Sequence, residues 1–216
     1  MLTADLSLSY EDAVRLVEDL RLGAMRAVPN ESLPTGDAQR TAEVIGASLA
    51  RIGLDGEETR SIVRNAMGIL TVEESSFFPG AIDLLRATRA GGLRNVIVSN
   101  TFWKDGASSA LDFERMGMPE LVDGYVTSLD VGFRKPNAAM FDAAISFAEC
   151  NPAECVFIGN VEELDIVPAA ERGMGTIRVC IEEPPPERSR ADAIATSLEQ
   201  ARAALVGWMS ENAGEP

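Results

Sequence analysis

The chain has 216 residues, 46% of them hydrophobic, which is enough to bury a full core in one domain with an insertion or in two small domains. Nineteen basic against 34 acidic residues leave a formal charge of −15, which repels phosphate backbones and anionic membrane surfaces and argues against nucleic acid or membrane as a partner. No histidine is present, so Ser-His-Asp and Cys-His catalysis and HExxH zinc sites are excluded, and acid–base work falls to carboxylates, lysine or metal-bound water.

Cys150, Cys155 and Cys180 form no CxxC pair and are odd in number, which fits unpaired thiols in a reducing compartment. No apolar run is long enough to span a bilayer, and the first residues lack the basic-then-apolar pattern of a signal peptide. The expectation is a cytoplasmic protein.

From Tyr10 to Leu70 the apolar residues recur with helical period in three segments. YEDAVRLVEDLRLGAMRAV places Ala13, Val14, Val17, Leu20, Ala24 and Val28 on one face; DAQRTAEVIGASLARIG and EETRSIVRNAMGIL follow after breaks bearing proline and glycine. From Phe77 the texture changes. NVIVSN, DGYVTS, CVFIGN and TIRVCI read as strands, and GAIDLLRATRAGG, SSALDFERMG, AAMFDAAISFAE and VPAAERGM as helices before or between them. EEPPPERSRAD reads as a polar connector, and ADAIATSLEQARAALVGWM as a closing helix. The chain therefore divides into an N-terminal segment with a helical unit, residues 1–74, and an α/β core, residues 75–216, with a parallel sheet covered by helices on both faces.

In open α/β sheets the ligand sits beyond the C-terminal ends of the strands, so the residues after each run are the site candidates. NVIV ends in Ser99-Asn100-Thr101, a hydroxyl and amide cluster suited to phosphate oxygens. Beyond DGYVTS the chain reaches Arg134-Lys135-Pro136, a cation. Beyond CVFI it reaches Gly159-Asn160 with Glu162, Glu163 and Asp165 close behind. Singly, each has a plain structural use: Ser and Asn form turns, a lysine before proline is commonly solvated, and acidic residues suit a first helical turn. Trp103 either lines an entrance or packs.

In combination these stretches resemble the haloacid dehalogenase (HAD) superfamily of phosphatases and dehalogenases. VIVSN is similar to its second motif, VGFRKPNAAMF to its third and GNVEELDIVPAAERGM to its fourth, while SFFPGAIDLL resembles the turn and helix leading from cap to core. The resemblance covers roughly Phe77 to Ile181. It implies a HAD-like Rossmannoid sheet with a helical cap inserted after the first strand. It also implies that Ser99 and the backbone of Asn100 hold a transferred phosphoryl group and that Lys135 neutralises it. Asn160 and Asp165 would help hold Mg²⁺, a hard cation that prefers oxygen. Asn160 stands where the family has an acidic residue, which implies a weaker or rearranged metal site, since an amide oxygen still ligates.

The family's first motif, an apolar strand ending in Asp-x-Asp-Gly-Thr or a close variant, supplies the aspartate nucleophile and acid–base. MLTADLSLSYEDA holds no such motif. Asp5 is the nearest candidate, with Ser7 where the second aspartate would stand. Two expectations follow: Met1 is an internal residue of a longer protein, with MLT the tail of a longer motif, or the chain is a catalytically silent relative whose pocket only binds. The leading functional expectation is a Mg²⁺-dependent small-molecule phosphatase in the full-length chain, acting on a phosphorylated substrate, with the 216 residues alone inactive. The alternatives are a dehalogenase-like hydrolase attacking carbon and a ligand-binding or interaction protein without turnover. Dimerisation through cap or core is left open, as is the substrate.

Overall fold

The computed structural model describes residues 6–27, 37–51, 53, 56–68, 77–101 and 103–212. Three helices come first: α1 (Tyr10–Ala27), α2 (Asp37–Arg51) and α3 (Glu57–Gly68). Ser9 starts α1, its hydroxyl accepting from the Asp12 amide at 3.1 Å and donating to the Asp12 carboxylate at 2.6 Å, which occupies donors that the first turn leaves free. The inward face of α1 is Ala13, Leu16, Val17 and Leu20, at helical spacing. Val14 is 39% exposed, so the expected face was rotated by part of a turn, and Leu16 takes the buried place. Val28 lies outside the described residues. Leu16, Leu20, Ile45, Leu49, Val63 and Met67 form one cluster, with Leu6, Leu8 and Trp103 packed on it.

The second part alternates helices and strands: α4 (Ala81–Ala90), β1 (Val96–Ser99), α5 (Gly106–Arg115), β2 (Gly124–Thr127), α6 (Ser128–Val131) and α7 (Ala138–Ala148). After these come β3 (Val156–Gly159), α8 (Val167–Glu171), β4 (Gly175–Val179), β5 (Ala193–Ala195) and α9 (Leu198–Asn212). Every pairing is parallel. Val96 stands opposite Gly124 and Ser99 opposite Thr127; Val156 stands opposite Gly175, and Ile177 opposite Ala193.

Side chains alternate between two apolar layers, as a parallel sheet covered on both faces requires. Val96, Val98, Val126 and Phe157 pack with Met140, Phe141 and Ala144 of α7. On the other face Ile97 and Tyr125 meet Ile82 and Phe113, while Val156, Ile158, Ile177 and Val179 meet Leu84, Ala201 and Leu205. Thus α4 and α9 close that layer.

The sheet is in two pieces among the described residues, β1-β2 and β3-β4-β5, with no ladder between β1 and β3. Val96, Val98 and Phe157 share one cluster under α7, so β1 and β3 lie in the same layer. All four residues of β1 are only partly buried.

One element differs from expectation. Residues Ala193 to Ala195, read as the beginning of the closing helix, are β5. The cause is Asp192, whose carboxylate accepts from the Thr176 amide at 2.8 Å and the Thr176 hydroxyl at 3.0 Å. That holds the chain against β4 before helix α9 begins.

Candidate functional site

The C-terminal ends of β1 and β3 converge on one ion pair. Lys135 Nζ donates to Asp165 Oδ1 at 2.6 Å, and both side chains are mostly buried, 14% and 5% exposed. The ammonium also lies 5.5 Å from the centre of the Phe157 ring, whose face favours a cation. Asn100, just beyond β1, fixes the lysine backbone: its Oδ1 accepts from the Lys135 amide at 2.7 Å and its Nδ2 donates to the Lys135 carbonyl at 3.0 Å. The Asn100 side chain is therefore spent on positioning Lys135. Ser99 is partly exposed at the end of β1, and its hydroxyl has no hydrogen-bond partner among the described residues.

Asp165 is held from the other side by its own turn. Residues Glu162–Ile166 wind as a single π-helical turn, with the Asp165 amide donating to the Val161 carbonyl at 2.8 Å. Asp165 Oδ2 in turn accepts from the amides of Asn160 at 3.2 Å and Val161 at 3.0 Å. Gly159 makes this closure possible, since a Cβ there would lie 2.5 Å from the Asp165 Cβ and 2.7 Å from its Cγ. Pro168 sits in the first turn of α8, where its missing N–H costs nothing.

Asn160 itself is exposed and is not among the residues with left-handed backbone. It turns a backbone N–H, not its amide side chain, toward Asp165. Glu162 is engaged elsewhere, accepting from Arg178 at 2.7 Å, the Ser189 hydroxyl at 2.6 Å and the Arg190 amide at 2.7 Å. Burial pushes the Glu162 carboxyl up, but the Arg190 amide, Ser189 and Arg178 together outweigh it and hold it below the usual carboxylate range. Glu163 is exposed. A cleft of about 470 Å³ opens at the ends of β3 and β4, lined by Phe78, Gly159, Asn160, Arg178, Glu182 and Leu198 among others.

Mg²⁺ needs several oxygens in near-octahedral array. Among the described residues no group of three acidic, cysteine or histidine side chains is placed to hold a metal ion. Both Asp165 oxygens already accept from a lysine and two amides, so the described residues do not fit a Mg²⁺ site by themselves. Asp5 lies outside the described residues.

Two buried residues that the sequence reading passed over hold the site's loop. Ser128, fully buried, donates from Oγ to the Thr101 carbonyl and accepts from the Thr101 amide, each at 2.9 Å. Asp112, 4% exposed, pairs with Lys104. The signal for the first was present: Thr127-Ser128-Leu129-Asp130 is a capping sequence, and Thr127 Oγ1 donates to Asp130 at 2.7 Å. Nothing local marks Asp112 as buried. Its charge and that of Glu114 add to burial in pushing the Tyr125 phenol up to about 12. Trp103 packs into the helical cluster, which makes it the tie between the β1 loop and α1–α3.

Known proteins are similar to this chain in sequence and fold. A family model for haloacid dehalogenase-like hydrolases matches residues 9–173. A glyceraldehyde 3-phosphate phosphatase from Methanothermobacter thermautotrophicus is 30% identical over 142 residues, 63% of this chain and 61% of that protein. A ribulose-1,5-bisphosphate 5-phosphatase from Halopiger xanaduensis is 28% identical over 125 residues, 58% of this chain and 51% of that protein. The chain thus matches only about half to three-fifths of the length of these relatives. The crystal structure of a 2-haloacid dehalogenase from Pseudomonas syringae pv. Tomato superposes with a TM-score of 0.64 at 21% identity, covering 92% of this chain and 86% of that one. The family match spans well over half of the chain, and the fold agrees with it: this chain belongs to the haloacid dehalogenase-like hydrolases.

Proposed function

We propose that the chain carries the anion-binding half of a phosphate-monoester hydrolase, and that its nucleophilic carboxylate arrives on a strand lying between β1 and β3. Lys135 supplies the cation, Ser99 a free hydroxyl for a phosphoryl oxygen, Asn100 the positioning of Lys135, and Asp165 the counter-charge that holds the ammonium at the strand ends. The observation that supports this reading is that, among the described residues, the sheet is in two parallel pieces, with Ser99 at the end of β1 and Lys135 paired to Asp165 beyond β3.

Unpaired strand edges in a buried layer cost roughly 1–3 kcal/mol per lost polar partner, so a filled gap is the stable state. Leu6 and Leu8 pack on the same helical cluster as Trp103, which lies four residues beyond Ser99. The Mg²⁺ dependence and the aspartyl-phosphate belong to the same proposal, because that strand would bring the carboxylates that the described residues lack. The names of both curated relatives, phosphatases of small phosphorylated sugars, support phosphate over other leaving groups.

The test is hydrolysis of p-nitrophenyl phosphate by the 216-residue chain and by a version extended upstream in its own reading frame. The extended chain is expected to turn over and to lose at least a hundredfold with Lys135→Ala, while the 216 residues alone do not. No hydrolysis by either form overturns the reading in favour of a binding protein. A second reading, attack on a carbon bearing a halogen, is favoured by one observation: Asp165 is already neutralised by Lys135, and Asn160 adds no acidic group. Chloride released from 2-chloropropionate in the presence of EDTA would select it.

A further inference from the structure

Away from the strand ends that form the candidate site, a second pair of reactive groups is held together at the opposite end of β3. Cys150 Sγ lies 2.9 Å from Cys155 Sγ, and both residues are partly exposed. The intervening turn is rigid. Glu149 ends α7 in the left-handed region at φ 53°, turning the chain back at once. Asn151 and Glu154 then cap each other: the Asn151 amide donates to Glu154 Oε2 at 2.7 Å and the Asn151 side chain at 2.9 Å. The Cys155 amide donates to the Pro152 carbonyl at 3.0 Å, and the Cys155 carbonyl accepts from the Gly175 amide of β4 at 2.9 Å. On the other side Arg94 donates to the Ala148 carbonyl at 3.1 Å.

We infer that Cys150 and Cys155 are a modification site: a dithiol that closes to a disulfide when it meets a small-molecule disulfide of the glutathione type. A disulfide bond is about 2.05 Å long, so the 2.9 Å gap closes by about 0.9 Å of side-chain movement. Burial, and after it the hydrogen bond to Cys150, pushes the Cys155 thiol up to about 12, which leaves Cys150 as the first attacker. The Cys150 thiolate displaces one glutathione thiolate and forms a mixed disulfide. Cys155 then loses its proton to solvent and attacks the Cys150 sulfur, releasing the second glutathione. The sum is two protein thiols and one glutathione disulfide giving one protein disulfide and two glutathione thiols. Cys180 is buried and takes no part, so it serves as the internal control.

The experiment exposes the folded chain to glutathione disulfide and reads intact mass and thiols titrated after denaturation. The expected result is a loss of two hydrogens with no retained glutathione, titratable thiols falling from three to one, and a cross-linked peptide joining positions 150 and 155. Cys155→Ser is expected to keep one glutathione on Cys150, because the resolving thiol is gone. Three titratable thiols after exposure, a stable glutathione adduct on the unmodified sequence, or a cross-link involving Cys180 would each overturn the inference. The readout does not depend on hydrolytic activity.

Discussion

Lys135 and Asp165 are thirty residues apart in sequence and 2.6 Å apart in space, and neither is held by the other alone. Asn100 brackets the lysine backbone, and the Asn160 and Val161 amides bracket the aspartate. Three separate segments therefore agree on the position of one ion pair. Removing one partner strands a buried charge, which costs about 3–5 kcal/mol, whereas removing both costs less. Lys135→Met and Asp165→Leu are each expected to lower stability by about 3 kcal/mol, and the double variant by less than their sum. Urea denaturation of the four proteins measures the coupling; additive losses would show that the pair is not a unit.

Gly159→Ala tests the closure of Asp165 over the strand end. The added methyl would lie 2.5 Å from the Asp165 Cβ, a position set by the π-helical turn and not by a flexible side-chain tip. Overpacking of this kind costs about 1–3 kcal/mol, and here it also displaces the carboxylate from Lys135. Thermal or urea unfolding should show the loss, and a variant as stable as the parent would mean that the turn is free to move.

Much of this arrangement is visible in the amino-acid order, because parallel strands buried on both faces write themselves as short β-branched runs. VIVS, GYVT, VFIG and TIRV each became a strand, and Ser99-Asn100, the Lys135 loop and the Asp165 turn stand at or beyond the ends of the first three. What escaped was decided by tertiary contacts. Ala193 to Ala195 read as helix until Thr176 captures Asp192, and Val14 looked as apolar as Leu16 although only one faces the cluster. The family resemblance pairs Asn160 with Asp165 as a fellow ligand. The structure brings them together through a backbone N–H, a group that every residue type carries, so side-chain chemistry could not reveal it.

Glu162 makes stability depend on pH in a predictable direction. Its folded carboxyl sits below the ordinary 4.5, held there against burial by the Arg190 amide, Ser189 and Arg178. The stabilisation is therefore complete above the unfolded value and is lost as pH falls through the lower folded value. Glu162→Gln should weaken the protein at neutral pH and flatten the acid side of its stability curve. Melting temperatures from pH 7 down to pH 3 check this, and a parallel drop in both proteins would show that Glu162 contributes nothing to the acid transition.

Amide hydrogen exchange directly reads the strand proposed between β1 and β3. In the 216-residue chain, the amides of Val96 to Ser99 and Val156 to Gly159 that point into the gap should exchange faster than those of Gly175 to Val179, which lie between two partners. Extending the chain upstream should slow exchange in β1 and β3 together by at least tenfold and leave β4 unchanged. Equal protection of β1 and β3 with and without the extension would contradict the proposal that the gap receives the catalytic strand.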